Sequence, residues 1–139
     1  MRIEDFKLFL MVDDSDAELF LTRAIFAHSH PAIPFQCERN PAQALGHIAR
    51  ACVGGLDPAE ICVLLDIRMP RTNGFELIYA LRNEISSYGC CILMLSASRT
   101  FSDRDHASAI GADGFVEKPF TVAKLAGALA AHRGTSAAA

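Results

Sequence analysis

The chain has 139 residues, 51% of them apolar, which is enough for one well-buried core and too few to suggest a second domain. Its net charge of −3 offers no basic surface for phosphate backbones, so bulk electrostatics gives nucleic-acid binding no support. Glu4 and Asp5 stand ahead of an apolar stretch of only Leu8 to Val12, which lacks a signal peptide's pattern, and no later stretch reaches membrane-spanning length; the expected setting is cytoplasmic, without a membrane partner.

Apolar runs then alternate with helical patterns about five times, the signature of βαβ units and a parallel sheet. Lys7 to Val12 reads as the first strand. Ser15-Asp16-Ala17-Glu18 fits a capping box, and Phe20, Ala24 and Ala27 continue at helical spacing, so a first helix follows the pair Asp13-Asp14. Ile33 to Glu38 is the second strand, and Pro34 is tolerable there only at a sheet edge. Asn40 as N-cap with Pro41 at the first helical position opens a second helix to about Cys52. After the loop Gly54 to Pro58, Ile61 to Leu65 is a third strand; with no polar alternation it should be buried on both faces, as a central parallel strand is.

Gly74 begins a third helix through Arg82, carrying Phe75, Leu77, Ile78 and Leu81. Cys91 to Leu95 is the fourth strand, again continuous and apolar. A helix with a thin apolar face follows from Ser102, with Asp103 and Asp105 in its first turn and Gly111 past its end as a left-handed cap. Gly114 to Val116 is a short fifth strand and Thr121 to about His132 an alanine-rich last helix; Gly134 to Ala139 reads as a flexible tail, leaving residues 1–139 as one domain with a core of about 7–132. The five cysteines, Cys37, Cys52, Cys62, Cys90 and Cys91, are odd in number and lack CxxC spacing, so they read as reduced thiols, mostly buried. His28-x-His30 has no cysteine or further histidine near at ligand spacing and reads as a polar helix end.

Parallel strands would bring their carboxyl ends to one sheet edge, where open α/β folds bind ligands. Asp13-Asp14, Asp66, Ser96 and Lys118 each follow or end an apolar run and would share that cleft. Each is ordinary alone: an Asp-Asp pair suits a solvated helix N-terminus, Pro70-x-x-Asn73-Gly74 is a turn signal, and Lys118 before Pro119 is a surface charge. In conjunction, and with Met69-Pro70-x-x-Asn73-Gly74 after Asp66, they resemble the receiver domain of bacterial two-component response regulators, over about Lys7 to His132.

The resemblance implies a flavodoxin-like, doubly wound five-stranded parallel sheet of order 2-1-3-4-5 with five helices. It implies Asp66 as phosphoacceptor, Asp14 as a direct Mg²⁺ ligand, Asp13 as a ligand through water and the backbone carbonyl of Arg68 as another direct ligand. Lys118 would pair with a phosphoryl oxygen, through a cis Lys118–Pro119 bond that aims it into the cleft, and Ser96 would donate its hydroxyl. Phe115 stands at the family's switch-aromatic position without a tyrosine's hydroxyl, so any switching there must work by packing. Arg68 is longer and more cationic than is common two residues after the acceptor, where its side chain could slow the entry of attacking water. The implied partners are a sensor histidine kinase, a downstream protein or phosphotransfer partner, and a second copy of the chain as a homodimer. The loop Val53 to Glu60 looks like that of stand-alone receivers paired with phytochrome-type kinases, and output is expected through protein contact rather than an enzymatic or DNA-binding module.

Two rival readings are weaker. A haloacid-dehalogenase-type phosphatase needs a second aspartate two residues after the nucleophile, where this chain has Arg68. A flavin- or nucleotide-binding module needs a phosphate-cradling loop after the first strand, where Asp13-Asp14 repels phosphate unless a cation intervenes.

Overall fold

In a computed structural model, which describes residues 1–66, 68–69, 72–83, 89–97 and 101–132, the apolar runs pair as one parallel sheet. Its strands are β1 (Leu8–Val12), β2 (Phe35–Glu38), β3 (Ile61–Asp66), β4 (Cys91–Ser96) and β5 (Gly114–Glu117), in the order β2-β1-β3-β4-β5. The helices are α1 (Asp16–Ser29), α2 (Pro41–Val53), α3 (Gly74–Asn83), α4 (Phe101–Ile110) and α5 (Val122–Ala131). Every residue of β1, β3 and β4 is buried, as their unbroken apolar runs require, whereas β2 and β5 at the two edges are largely half-buried.

Successive strand residues point to opposite faces, so the sheet divides the interior into two cores. Leu10, Val12, Val63, Leu65, Ile92 and Met94 pack with Ile48 of α2, Leu77 and Leu81 of α3 and Ala107 of α4. Phe9, Met11, Leu64, Leu93 and Leu95 pack with Phe26 of α1 and Leu125 and Leu129 of α5. Phe26 lies 4.8 Å from Phe9 and 5.0 Å from Phe35, ring centre to ring centre, within the range where aromatic pairs add about 1 kcal/mol beyond their buried area.

Strand 2 starts at Phe35 rather than Ile33: Pro34 precedes it and contributes only its carbonyl, which accepts the Phe9 N–H at 3.0 Å. The apolar residues whose spacing signals α1 are not the ones it buries. Leu19, Thr22 and Phe26 are buried, while Phe20, Ala24 and Ala27 face water, Phe20 with 77% of its surface exposed. Both stripes have helical spacing; only the one carrying Phe26 meets the aromatic cluster on β1 and β2. The capping box is half formed: Ser15 Oγ accepts the Glu18 N–H at 3.3 Å, and the Glu18 carboxylate points instead toward Lys118. Asn40 and Thr121 cap α2 and α5 through Gln43 N–H at 2.9 Å and Lys124 N–H at 3.1 Å. A two-residue antiparallel ladder, Arg68–Met69 against Thr72–Asn73, links β3 to α3 and had no counterpart in the sequence reading.

Arg82 of α3 braces the approach to β5. Its Nε donates to Gly111 O at 2.9 Å, its Nη1 to Cys90 O at 2.7 Å and its Nη2 to Asp113 Oδ2 at 2.5 Å. Gly111 has φ +120°, and a Cβ there would lie 2.6 Å from Arg82 Cγ, so the left-handed end of α4 and the close approach of Arg82 both require glycine.

Candidate functional site

The carboxyl ends of β1, β3, β4 and β5 form one cleft. Asp13 directly follows β1, and its N–H still pairs with Glu38 O at 3.2 Å, so the acidic side chain is set by sheet geometry. Its Oδ1 accepts the Ser15 N–H at 2.9 Å, and its Oδ2 is buried without a hydrogen-bond partner. Asp14 beside it is half-buried. Asp66, the last residue of β3, is 7% exposed, and its Oδ2 accepts from Lys118 Nζ at 3.1 Å.

Lys118 reaches the cleft from just past β5. Its N–H donates to Ser96 O at 3.0 Å, which ties it to the end of β4, and its bond to Pro119 is cis. Its Nζ lies 3.7 Å from Asp13 Oδ2 and 4.0 Å from Glu18 Oε2. Glu18 is therefore a fourth acid at the site, which its reading as a capping residue concealed. Ser96 is 2% exposed at the end of β4. The structure thus gathers Asp13, Asp66, Ser96 and Lys118. Arg68 starts the ladder directly after β3, and its side chain lies outside the described residues, as does that of Asp103; Gly134 to Ala139 also lie outside them.

The electrostatics follow from burial. Desolvation pushes Asp13 up to about 6, with the Ser15 N–H and Lys118 opposing the shift and Asp66 and Asp14 adding to it. Burial alone would lower Lys118, but the Asp66 charge and hydrogen bond, with Asp13 and Glu18 behind them, outweigh it and raise the lysine. Asp66, Asp13 and Glu18 facing one ammonium, with Asp14 beside Asp13, leave an excess of negative charge, and Asp13 Oδ2 carries part of it without a hydrogen bond. An oxygen-seeking divalent cation fits this donor set, since Mg²⁺ binds through a few carboxylates and keeps several waters.

Phe115 of β5 is half-buried, and the Arg104 guanidinium of α4 lies 3.8 Å above its ring centre. Together with Met94 the two residues line a cavity of about 250 Å³ between α4 and β5. Arg104 was not singled out from sequence, because nothing in the spacing of α4 marks an arginine that stacks on the neighbouring strand.

Known proteins similar to this chain include response regulators. Protein PilG of Pseudomonas aeruginosa is 30% identical over 70 residues, which are 50% of this chain and 52% of PilG. The chain spans about half the length of PilG and about a quarter to a third of other curated relatives it matches. Among solved structures, the bacteriophytochrome response regulator RtBRR superposes with a TM-score of 0.73 at 27% identity, covering 90% of this chain and 76% of that one. The bacteriophytochrome response regulator AtBRR gives 0.74 at 25% identity, covering 90% and 91%. The family profile described as the response regulator receiver domain matches residues 9–130, so the acidic cleft, the sheet order and the sequence kinship converge, and this chain belongs to the response regulator receiver domain family.

Proposed function

We propose that this protein is a phosphorylation-controlled switch of a two-component phosphorelay in which Asp66 accepts the phosphoryl group. The observation that carries the reading is the buried cleft in which Lys118 Nζ stands 3.1 Å from Asp66 Oδ2 beside the unpartnered Asp13 Oδ2. An Asp66 oxygen attacks phosphorus on a phosphohistidine, the P–N bond breaks, and the imidazole nitrogen leaves with the bonding pair. Asp13, Asp14, Asp66 and the Arg68 backbone carbonyl would hold Mg²⁺, which when bound neutralises charge on the phosphoryl oxygens. Lys118 exchanges its contact with Asp66 Oδ2 for one with a phosphoryl oxygen as a point charge. Ser96 donates its hydroxyl to another.

The Ser96 movement opens space beside β4 for Phe115, whose rotation breaks the stacking on Arg104. The surface of α4, β5 and α5 then differs between the two states, and a partner is controlled through its differential affinity for them. In this reading the protein acts in the cytoplasm, where a sensor histidine kinase supplies the phosphoryl group, with a phytochrome-type kinase the first candidate. The protein promotes its own phosphorylation but is not an enzyme acting on an independent substrate, and its output is protein contact, onward transfer or self-association. Among the described residues no helix is long and apolar enough to cross a membrane.

The test is intact mass after incubation with acetyl phosphate. One phosphoryl group should be added with Mg²⁺ and none with chelator, and Asp66→Asn should abolish the addition. Equal labelling of the variant would overturn the assignment.

A further inference from the structure

At the opposite end of the sheet from the acidic cleft, Cys91 begins β4, Asp113 precedes β5 and His132 follows α5. One ligand atom from each, the Cys91 sulfur, an Asp113 carboxylate oxygen and a His132 ring nitrogen, lie within 4.8 Å of one another. We propose that these three side chains form a second metal site, for a zinc-class divalent cation, separate from the carboxylate site that would take Mg²⁺. Sulfur, imidazole nitrogen and carboxylate oxygen together favour zinc over magnesium, which prefers oxygen alone.

Two of the ligands are already positioned. Asp113 Oδ2 accepts the Ile92 N–H at 2.9 Å and a donor of Arg82, and such outer contacts are what orient a ligating carboxylate. Cys91 is 4% exposed, on a strand whose register sets Cys62 directly beside it. The third ligand is adjustable: His132 ends α5, its N–H bonded to Ala128 O and Leu129 O, both at 3.2 Å. Tetrahedral zinc with bonds of about 2.0–2.3 Å holds its ligand atoms roughly 3.5 Å apart, so closure needs a movement of about 1 Å, within reach of a histidine at a helix end. Binding would release the Cys91 thiol proton to solvent, form the metal–thiolate bond and leave the fourth position to water. The cation would clamp the end of α5 to the starts of β4 and β5 and stabilise the fold by mass action.

The test uses the reduced, chelator-treated full chain with excess Mg²⁺ present, titrated with Co²⁺. One equivalent should produce a near-ultraviolet sulfur-to-cobalt charge-transfer band, which Zn²⁺ displaces. Cys91→Ser should remove the band. His132→Ala, at a half-buried helix end where folding is not at risk, should weaken binding by at least about tenfold, since even outer contacts of a metal site are worth that much. Labelling of His132→Ala by acetyl phosphate should match wild type. No band at one equivalent, a band that survives both substitutions, or a cobalt signal that depends on Asp13 instead would overturn the site.

Discussion

Asp13→Asn should stabilise the metal-free protein while removing its response to Mg²⁺. In the fold, Asp13 titrates near 6 against an ordinary 3.8, a difference of about 2 units, chiefly because burial disfavours its charge. At about 1.4 kcal/mol per unit this bounds the cost of the ionised side chain at about 3 kcal/mol, and water at the mouth of the cleft discounts it to about 1–2 kcal/mol. The sign follows from linkage: between about pH 4 and pH 6 the folded state holds a proton that the unfolded chain has lost, so stability falls as pH rises through that window. Above about 6 the full penalty is present. Asparagine keeps an oxygen for the Ser15 N–H and carries no charge, so at pH 7 in chelator the variant should melt several degrees higher, at about 3–5 °C per kcal/mol. Near pH 4 the two proteins should converge. With millimolar Mg²⁺ wild type should gain stability by mass action and the variant should not. A variant less stable than wild type in chelator at pH 7, or a difference that is the same at pH 4 and pH 7, would refute the reasoning.

By the same linkage, Mg²⁺ affinity of wild type should weaken as pH falls below about 6, where a proton competes for Asp13; calorimetric titration across pH 5 to 8 checks this. Lys118→Ala leaves the buried carboxylates without their ammonium, and the rate of acetyl phosphate labelling should drop about 100-fold, by analogy with other lost transition-state donors. Ser96→Ala should still accept phosphate on Asp66, while partner binding or sedimentation responds less to phosphorylation than in wild type. Phe26→Ala should cost about 3–5 kcal/mol in denaturant unfolding, whereas Phe20→Ala on the exposed face of α1 should change stability by less than about 0.5 kcal/mol.

The sheet was legible because its three central strands are buried on both faces, and an unbroken apolar run such as Ile61 to Leu65 admits few other readings. The cleft was legible for a related reason: parallel strands carry the residues that follow them to one edge, so Asp13, Asp66 and Ser96 could be brought together before any geometry was known. The buried face of α1 was not legible, because Phe20-Ala24-Ala27 and Leu19-Thr22-Phe26 share the helical period and differ only in phase, which contacts with β1 and β2 decide. Long-range polar pairs left no trace in spacing. Arg82 meets Asp113, Cys90 and Gly111 only once α3, α4 and β4 are packed, and Arg104 reaches Phe115 only across the α4–β5 boundary. The grouping of Cys91, Asp113 and His132 was hidden in the same way, since its members come from a strand start, a loop and a helix end.

The central claim is that Asp66, among the acids of the cleft, carries the phosphoryl group. Borohydride reduces an aspartyl phosphate to homoserine and leaves unmodified aspartate intact, so peptide mass mapping after labelling and reduction reads the acceptor directly. The conversion should fall on the peptide of β3 at Asp66 alone. Homoserine at Asp13 or Asp14, or no conversion at any of the three, would contradict the account.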